Sequence, residues 1–189
     1  MKDTKKTRGR PKKQTSTLNA ELILKSAKTL LQKEKKLPSI RKIAQELEID
    51  PMSIYYYFPN KNSLLEAITI SLMTNIYEPR KDKCLWKKEL ELLCQSYLKL
   101  LDDYPELLEV MLKMESVGPA NVFIKYLESI LNPLSLNEKD FYSALCLLAD
   151  YLHGFAFSMQ CDSKNILKVE DSSEPLKLYM NAIENLSSK

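Results

Sequence analysis

The segment PSIRKIAQELEIDPMSIYYYFPNK, residues 38–61, contains two short helical patterns joined by a tight turn. Ser39 is a suitable N-cap for the first helix, because its hydroxyl can accept a hydrogen bond from a free backbone N–H. Asp50 followed by Pro51 is a second helix start, since Asp caps free N–H groups and Pro fits the first helical position. The pattern predicts a helical hairpin whose second helix, over residues 51–58, is only about two turns long.

The second helix carries more aromatic surface than one buried stripe can hold. Ile54 and Phe58, at i and i+4, can seat it on the first helix. The three consecutive tyrosines between them cannot all face the core, so some face solvent or a partner. A tyrosine ring can contact sugars and thymine methyl groups, and its hydroxyl can reach phosphates or base edges. This layout is typical of a helix-turn-helix whose second helix enters the major groove, with a plain helical hairpin as the alternative.

Charge is unevenly distributed along the chain. Residues 1–61 hold 15 Lys/Arg and 6 Asp/Glu, a net charge of +9, whereas residues 62–189 have a net charge of −6. A basic first third joined to an acidic remainder indicates a polyanionic partner for the first part only.

The first 17 residues lack apolar periodicity and are predicted to be disordered in isolation. Within them, residues 8–13 (RGRPKK) resemble an AT-hook core. Gly allows close backbone approach and Pro holds an extended path, so Arg8 and Arg10 could enter a narrow A·T-rich minor groove. The alternative is a basic tail that only neutralises phosphates. In either case the arm is expected to add affinity for DNA.

Composition predicts an all-α protein of one or two domains, because 189 residues contain only three Gly and abundant Leu, Lys and Glu. No apolar run reaches the length of a membrane span and no signal peptide is visible, so we expect a cytoplasmic protein without a membrane partner. The four cysteines have no metal-ligand spacing, and we expect buried, reduced thiols. They are Cys84, Cys94, Cys146 and Cys161.

The chain from Leu18 to about Tyr77 resembles the DNA-binding domain of the TetR family of transcriptional repressors. The matching residues are Leu18-Asn19, Ile23, Ala27, Leu30-Leu31, Ser39-Ile40-Arg41-Lys42-Ile43-Ala44, Leu47, Ile49, Ser53-Ile54-Tyr55-Tyr56-Tyr57-Phe58, Asn60-Lys61 and Leu64-Leu65. One departure is Glu48, which stands in the turn where the family usually has Gly. Because a non-Gly residue with positive φ is strained, we expect this turn to be slightly recast.

The resemblance implies an all-α protein with a three-helix helix-turn-helix DNA-binding domain at residues 18–78. An all-helical ligand-binding and dimerisation domain follows at residues 84–189. It also implies a homodimer that binds a palindromic operator in double-stranded DNA, most simply as a repressor. The residues expected to contact DNA are Arg8, Arg10, Ser39, Arg41, Lys42, Met52, Ser53, Tyr55, Tyr56, Tyr57 and Lys61.

Apolar periodicity places the remaining helices. The first is predicted over Ala20–Glu34 with Asn19 as its cap, and the fourth from residue 62 or 63 to Tyr77. Five more are predicted at residues 85–103, 105–116, 119–131, 137–161 and 173–186.

The helix predicted over residues 137–161 has apolar residues at alternating steps of four and three, which is typical of a helix-packing seam. A second apolar face carries Ala149, His153, Ala156 and Phe157. Two faces need two neighbours, and we expect one of them to be a partner subunit; burial of both faces inside one chain is the alternative. The interface is predicted to contain Phe141, Leu145, Leu148, Leu152, Phe155, Met159, Tyr179 and Ile183.

By resemblance alone, the second domain is expected to hold an apolar pocket for a small-molecule effector. The candidate lining residues are Met73, Trp86, Tyr97, Met111, Met114, Phe123 and His153. His153 is the only histidine, and no hydrolase, metalloprotease, CxxC or phosphate-loop motif is present. We therefore expect no enzyme, no cofactor and no metal.

Two alternative functions fit the same sequence. In one, a protein partner docking on the acidic second domain replaces the small molecule; exposed apolar patches would favour it, whereas an enclosed cavity would favour a small molecule. In the other, a nucleoid-type protein binds DNA through the arm and charge alone, with weak sequence preference.

Overall fold

The computed structural model describes residues 18–78 and 85–187. The basic arm with Arg8 and Arg10, Cys84 and most of the predicted linker lie outside these residues. The predictions made for them therefore stay predictions.

Within the described residues the chain forms nine α-helices and two short 3-10 helices, with no strand, which confirms the predicted all-α class. The helices are α1 (Ala20–Glu34), α2 (Ile40–Glu46), α3 (Met52–Tyr55), α4 (Lys61–Met73), α5 (Trp86–Asp103), α6 (Glu106–Lys113), α7 (Gly118–Leu131), α8 (Glu138–Cys161) and α9 (Ser173–Ser187). The 3-10 helices are Asn132–Leu134 and Val169–Ser172. None of the helices in these two described segments is long and apolar enough to cross a membrane.

Polar caps fix where several helices begin. The side chain of Asn19 accepts a 2.7 Å hydrogen bond from the Leu22 N–H, and the Ser39 hydroxyl accepts one of 3.3 Å from the Lys42 N–H. Both predicted caps are therefore confirmed. Asn60 caps α4 by accepting from the Ser63 N–H at 2.8 Å, while the Ser63 hydroxyl accepts from the Asn60 N–H at 3.2 Å. This reciprocal arrangement satisfies two backbone donors that the helix itself leaves free.

Three helices end earlier than the sequence predicts, including α6, which ends at Lys113 rather than at residue 116. The helical turn after α3 continues to Phe58, whose N–H donates to the Ile54 carbonyl at 3.0 Å, but Pro59 has no N–H with which to extend it. Helix α4 ends at Met73 rather than Tyr77. The Asn75 carboxamide donates to the Ser71 carbonyl at 2.6 Å and so occupies the acceptor that a continuing helix would use.

The turn between α2 and α3 keeps the left-handed geometry that favours glycine, so the expectation of a recast turn is wrong. Glu48 has φ of 53°. The Ile49 N–H donates back to the Ala44 carbonyl at 3.0 Å, as in the motif that commonly closes helices. The turn therefore accepts a strained glutamate at a cost of about 1–2 kcal/mol.

Helix α4 connects the first three helices to the rest of the chain, because it packs on α1 at one end and on α7 along its length. The contact with α7 is close at Gly118. A Cβ on Gly118 would lie 2.7 Å from the Glu66 carboxylate and 2.9 Å from the Ile70 methyl. Glycine at the start of α7 therefore allows this helix to approach α4.

Candidate nucleic-acid interface and effector cavity

The short helix α3 is held against α2 by one apolar stripe. Ile54 is fully buried and Phe58 nearly so, and both belong to the core that contains Ile43 and Ala44 of α2. The Asp50 carboxylate accepts the Met52 N–H at 2.7 Å, which fixes the start of α3. The seat and cap expected from the sequence are therefore present.

The side of α3 opposite this stripe presents apolar and aromatic groups to solvent. Met52 is 70% exposed, Tyr55 39% and Tyr56 85%. Exposing such residues on a two-turn segment removes no apolar surface from water, so packing does not explain them. They form an apolar and aromatic surface that is open to solvent.

Tyr57 behaves differently from its two neighbours. It is half-buried, and its hydroxyl donates a 2.5 Å hydrogen bond to the Leu18 carbonyl just before α1. The Tyr56 ring packs edge-on against the Tyr57 ring, with centroids 5.1 Å apart and an interplanar angle of 82°. Tyr57 therefore anchors α3 and orients Tyr56; the sequence alone did not separate these two roles.

The basic residues around α3 differ in how free they are. Lys42 forms a salt bridge of 2.5 Å with Glu34 of α1, whereas Arg41 is exposed and has no ion pair within residues 18–78 and 85–187. Lys61 is exposed at the first position of α4, where backbone N–H groups favour an anion. Ser39 serves as a helix cap, and Ser53 is half-buried.

A cavity of about 370 Å³ lies between α4, α5, α6, α7 and α8. Six of the seven predicted lining residues meet in it: Met73, Tyr97, Met111, Met114, Phe123 and His153. Trp86 is not among the lining residues. It is the first residue of α5, and the Lys87 ammonium lies 5.5 Å from its ring centroid. The remaining lining residues, which the sequence analysis did not assign to a pocket, are Leu112, Ser116, Pro119, Ala120, Ile124, Leu145, Cys146, Ala149, Asp150 and Leu152.

One polar pair stands in this largely apolar cavity. The Tyr97 hydroxyl and the His153 Nε2 lie 2.8 Å apart, and the Phe123 ring packs on Tyr97 at 5.1 Å between centroids. Burial lowers the pKa of His153, with Asp150 opposing the shift, and burial raises the pKa of the Tyr97 hydroxyl. Both groups are therefore neutral near pH 7.

Two sets of contacts connect the cavity walls to the first three helices. The hydroxyl of Ser116, which lines the cavity, donates a hydrogen bond to the Glu66 carboxylate of α4. At the other end of α6, the Glu106 carboxylate accepts the Leu37 N–H at 3.1 Å, in the loop before α2. Movement of α6 would therefore displace both α4 and the loop that precedes α2.

Six of the residues predicted to form a subunit interface lie on the inner side of α8, and the other two, Tyr179 and Ile183, lie on α9. Leu148, Leu152, Tyr179 and Ile183 are buried within the single chain, and the Tyr179 hydroxyl donates to the Ala144 carbonyl at 2.9 Å. The others are half-buried against the same core or beside it: Phe141, Leu145, Phe155 and Met159. The four buried residues are therefore covered by their own chain, whereas the interface assignment of the four half-buried residues stays a prediction.

The opposite side of α8 has the same spacing, displaced by two residues. We name Ser143, Leu147, Gly154, Phe157 and Cys161 the outward α8 face; Asp150 has the same spacing but lines the cavity. Leu147 is 59% exposed and Phe157 61%, and a Cβ on Gly154 would meet nothing within 4 Å. On α9, Leu178 is 74% exposed. These apolar side chains have no partner within the described part of the chain.

Three described cysteines are free thiols, of which only Cys94 is buried. Burial raises the pKa of the Cys94 thiol. Cys146 and Cys161 are exposed on α8, so the expectation that the cysteines are buried is wrong for these two. No group of His, Cys, Asp or Glu in residues 18–78 and 85–187 could hold a metal ion.

Comparison with known proteins places these features in context. Residues 23–68 match the family "Bacterial regulatory proteins, tetR family". The chain is 26% identical over 126 residues to the HTH-type transcriptional repressor DrrR1 of Streptomyces coeruleorubidus. That match covers 64% of this chain and 45% of DrrR1, so the chain spans about half the length of this curated relative.

Solved structures share the whole fold at low sequence identity. Apo ActR from Streptomyces coelicolor superposes with a TM-score of 0.76 at 16% identity, covering 92% of this chain and 98% of ActR. ActR has also been solved in complex with actinorhodin, with a TM-score of 0.73. BioQ bound to its double-stranded DNA operator gives a TM-score of 0.67 at 18% identity, covering 89% of this chain and 99% of BioQ.

Proposed function

The chain belongs to the TetR family of bacterial regulatory proteins through residues 23–68, and on that premise we propose that it represses transcription by binding an operator. The observation that carries the proposal is the exposure of Met52, Tyr55 and Tyr56 on a short helix whose other side is buried. A helix presented in this way fits the major groove. DrrR1 is named a repressor and BioQ was solved with its operator, which supports the same role here.

Within this proposal the residues predicted to contact DNA fall into two groups, according to whether the side chain already has a hydrogen-bond or ion-pair partner inside the protein. Tyr56, Tyr55 and Met52 would reach the base edges, while Arg41 and Lys61 would bind phosphates. Tyr57 and Lys42 already have partners within the protein, the Leu18 carbonyl and the Glu34 carboxylate. We assign them to positioning rather than to base recognition.

The operator would be palindromic, because we propose a symmetric dimer. The outward α8 face with Leu178 supplies exposed apolar surface on the last two helices, and Gly154 allows another helix to approach closely. Two copies related by a two-fold axis would place their α3 helices in successive major grooves, about 34–36 Å apart. Residues 18–78 would then be the DNA-binding domain and residues 84–189 the regulatory and dimerisation domain.

A small molecule bound in the cavity would regulate DNA binding. The cavity is large enough for a drug-sized ligand, and its wall touches α4 through Ser116 and Glu66. The ActR complex with actinorhodin shows that a protein of this fold binds such a molecule. The cavity favours a small-molecule effector over a protein partner as the regulator.

A genome-wide footprint of the purified full-length chain tests the proposal. Discrete protected sites with two inverted half-sites are expected. Uniform coating of DNA without preferred sites would contradict the proposal and favour a nucleoid-type protein.

A further inference from the structure

The charges around the cavity indicate what kind of ligand it accepts. We propose that it binds a compact fused-ring aromatic ligand that carries a positive charge, and that it rejects anions. This inference rests on the proposed function, since it names the class of effector for the same cavity.

The cavity wall contains one formally charged side chain, Asp150 of α8, and no Lys or Arg. Within the described part of the chain Asp150 forms no salt bridge, and it is one of the exposed residues of the lining, as is Cys146. A cation entering there would meet an opposite charge that no protein group already neutralises. An anion would meet repulsion and gain no compensating contact.

A second carboxylate lies behind the wall at the α4 side. The Glu66 carboxylate accepts a hydrogen bond from the hydroxyl of Ser116, which itself lines the cavity. Low-dielectric walls with carboxylates at two sides focus a negative potential into the space between them. The electrostatic preference therefore extends beyond contact with a single side chain.

The rest of the lining suits an aromatic cation. Tyr97 and Phe123 contribute aromatic rings to the lining, and cations bind favourably over the faces of aromatic rings. Met73, Met111 and Met114 add polarisable sulfur atoms that pack well against rings. Because burial lowers the pKa of His153, its imidazole adds no positive charge that would repel the ligand.

The volume limits the ligand further. About 370 Å³ is near the lower end of the range of about 300–1,000 Å³ for small-molecule sites. A flat fused-ring system with one short polar substituent fits this space better than an extended amphiphile. The Tyr97–His153 pair would then offer that substituent a neutral hydrogen-bonding partner.

Direct binding of three matched fluorescent probes to the DNA-free full chain tests the proposal. The probes are 9-(aminomethyl)anthracene, a cation at pH 7, the neutral 9-anthracenemethanol, and the anion anthracene-9-carboxylate. The amine is expected to bind at least about tenfold more tightly than the carboxylate, a difference of about 1.4 kcal/mol that the charge of Asp150 would supply. Equal binding of amine and carboxylate, tighter binding of the carboxylate, or no binding of any probe would overturn the proposal.

Asp150→Asn separates charge from shape. This variant should lose most of the preference for the amine while binding the neutral alcohol as the wild type does. Glu138→Gln, the same charge change at the start of the same helix but outside the cavity lining, should keep the wild-type preference. An undiminished amine preference in Asp150→Asn would remove Asp150 from the site. If Asp150→Asn loses every probe, the wild-type order still decides the ligand class.

Failure of the proposed function would look different from failure of this inference. A chain that binds no operator but still prefers the amine contradicts the repressor role and leaves the ligand class standing. A chain that binds its operator but prefers the carboxylate contradicts only the ligand class.

Discussion

The backbone N–H of Leu37 donates a 3.1 Å hydrogen bond to the carboxylate of Glu106, which lies 69 residues further along the chain. Leu37 precedes α2 of the helix-turn-helix, and Glu106 opens α6, which forms part of the cavity wall. Lys35 strengthens the same junction, with its ammonium 3.8 Å from the Asp103 carboxylate and 5.1 Å from the Tyr104 ring centroid. The segment between α1 and α2 is thus connected to the cavity wall by contacts that do not pass through α4.

Glu106→Ala should loosen this junction. The Leu37 amide would lose its acceptor, so we expect faster hydrogen exchange at Leu37 and a loss of about 1 kcal/mol in the free energy of unfolding. Glu106→Gln keeps an acceptor oxygen and should exchange nearly as the wild type does. Amide exchange followed by NMR decides it: equal rates at Leu37 in both variants and the wild type would show that the hydrogen bond is not maintained in solution.

Leu147→Glu should give monomers that remain helical. Leu147 is exposed in the single chain, and in a symmetric dimer two like charges would meet in an apolar setting. Ile166→Glu is the matched control, since Ile166 is 71% exposed but lies outside the outward α8 face. Sedimentation should show monomers for the first variant and dimers for the second. A dimeric Leu147→Glu protein would remove this face from the interface.

A substitution at Leu148, the next residue, distinguishes the inner side of α8 from the outward face. It is fully buried in the chain's own core, so Leu148→Glu should prevent folding instead of yielding folded monomers. Circular dichroism distinguishes the two outcomes. A folded, monomeric Leu148→Glu protein would restore the inner seam as a subunit interface.

The free energy of unfolding should depend on pH through His153. Because burial lowers the pKa of His153 in the folded state below its ordinary value of 6.5, the unfolded chain takes up a proton first as the pH falls. This contribution is fully present above pH 6.5, and it falls from there down to the lowered pKa by at most about 1.4 kcal/mol per pH unit.

His153→Gln should therefore show a shallower loss of stability below pH 6.5 than the wild type. Tyr97→Phe removes the hydrogen bond but keeps the imidazole, and it should retain a pH dependence that His153→Gln lacks. Thermal melts of the three proteins between pH 5 and pH 8 provide the comparison. Parallel curves for His153→Gln and the wild type would contradict the role of this imidazole.

Deletion of residues 1–16 should lower DNA affinity and make its salt dependence shallower. The deleted arm holds seven Lys/Arg, and each phosphate contact contributes about 0.9 to the slope of log affinity against log salt. If the AT-hook interpretation holds, the loss should be larger on operators flanked by A·T tracts. An unchanged slope would show that the arm does not touch DNA.

The sequence predicted the helices and the seat of α3 because capping residues and apolar spacing are local signals. Asn19, Ser39, Ile54 and Phe58 occupy the roles assigned to them. It did not separate Tyr57 from Tyr56, because the acceptor of the Tyr57 hydroxyl lies 39 residues away, at Leu18. Contacts of that kind depend on how the helices pack, which periodicity does not specify.

The same limit applies to α8. Periodicity shows that α8 has two usable faces but not which one its own chain covers. The stripe of larger apolar residues packs inside, and the sparser face with Leu147 and Gly154 is left outside. For the cavity, aromatic and methionine content identified six lining residues, whereas Trp86 has the same chemistry and a different position.

We propose that Tyr56 reads base edges from the exposed side of α3, where it is 85% exposed and oriented by Tyr57. Tyr56→Ala should change which bases are preferred, at about 1–3 kcal/mol per lost base contact, with a melting temperature near that of the wild type. Tyr57→Phe is the control: it should lower stability by about 1 kcal/mol and leave the base preference unchanged.

The most direct measurement is the affinity of the wild type, Tyr56→Ala and Tyr57→Phe for the footprinted operator and for every single-base variant of it. We expect Tyr56→Ala to bind variants at one position of each half-site as well as the operator, while discrimination at the other positions is kept. A uniform loss of affinity across all variants, or unfolding of Tyr56→Ala, would show that Tyr56 contacts the DNA backbone or the protein core and would contradict the claim.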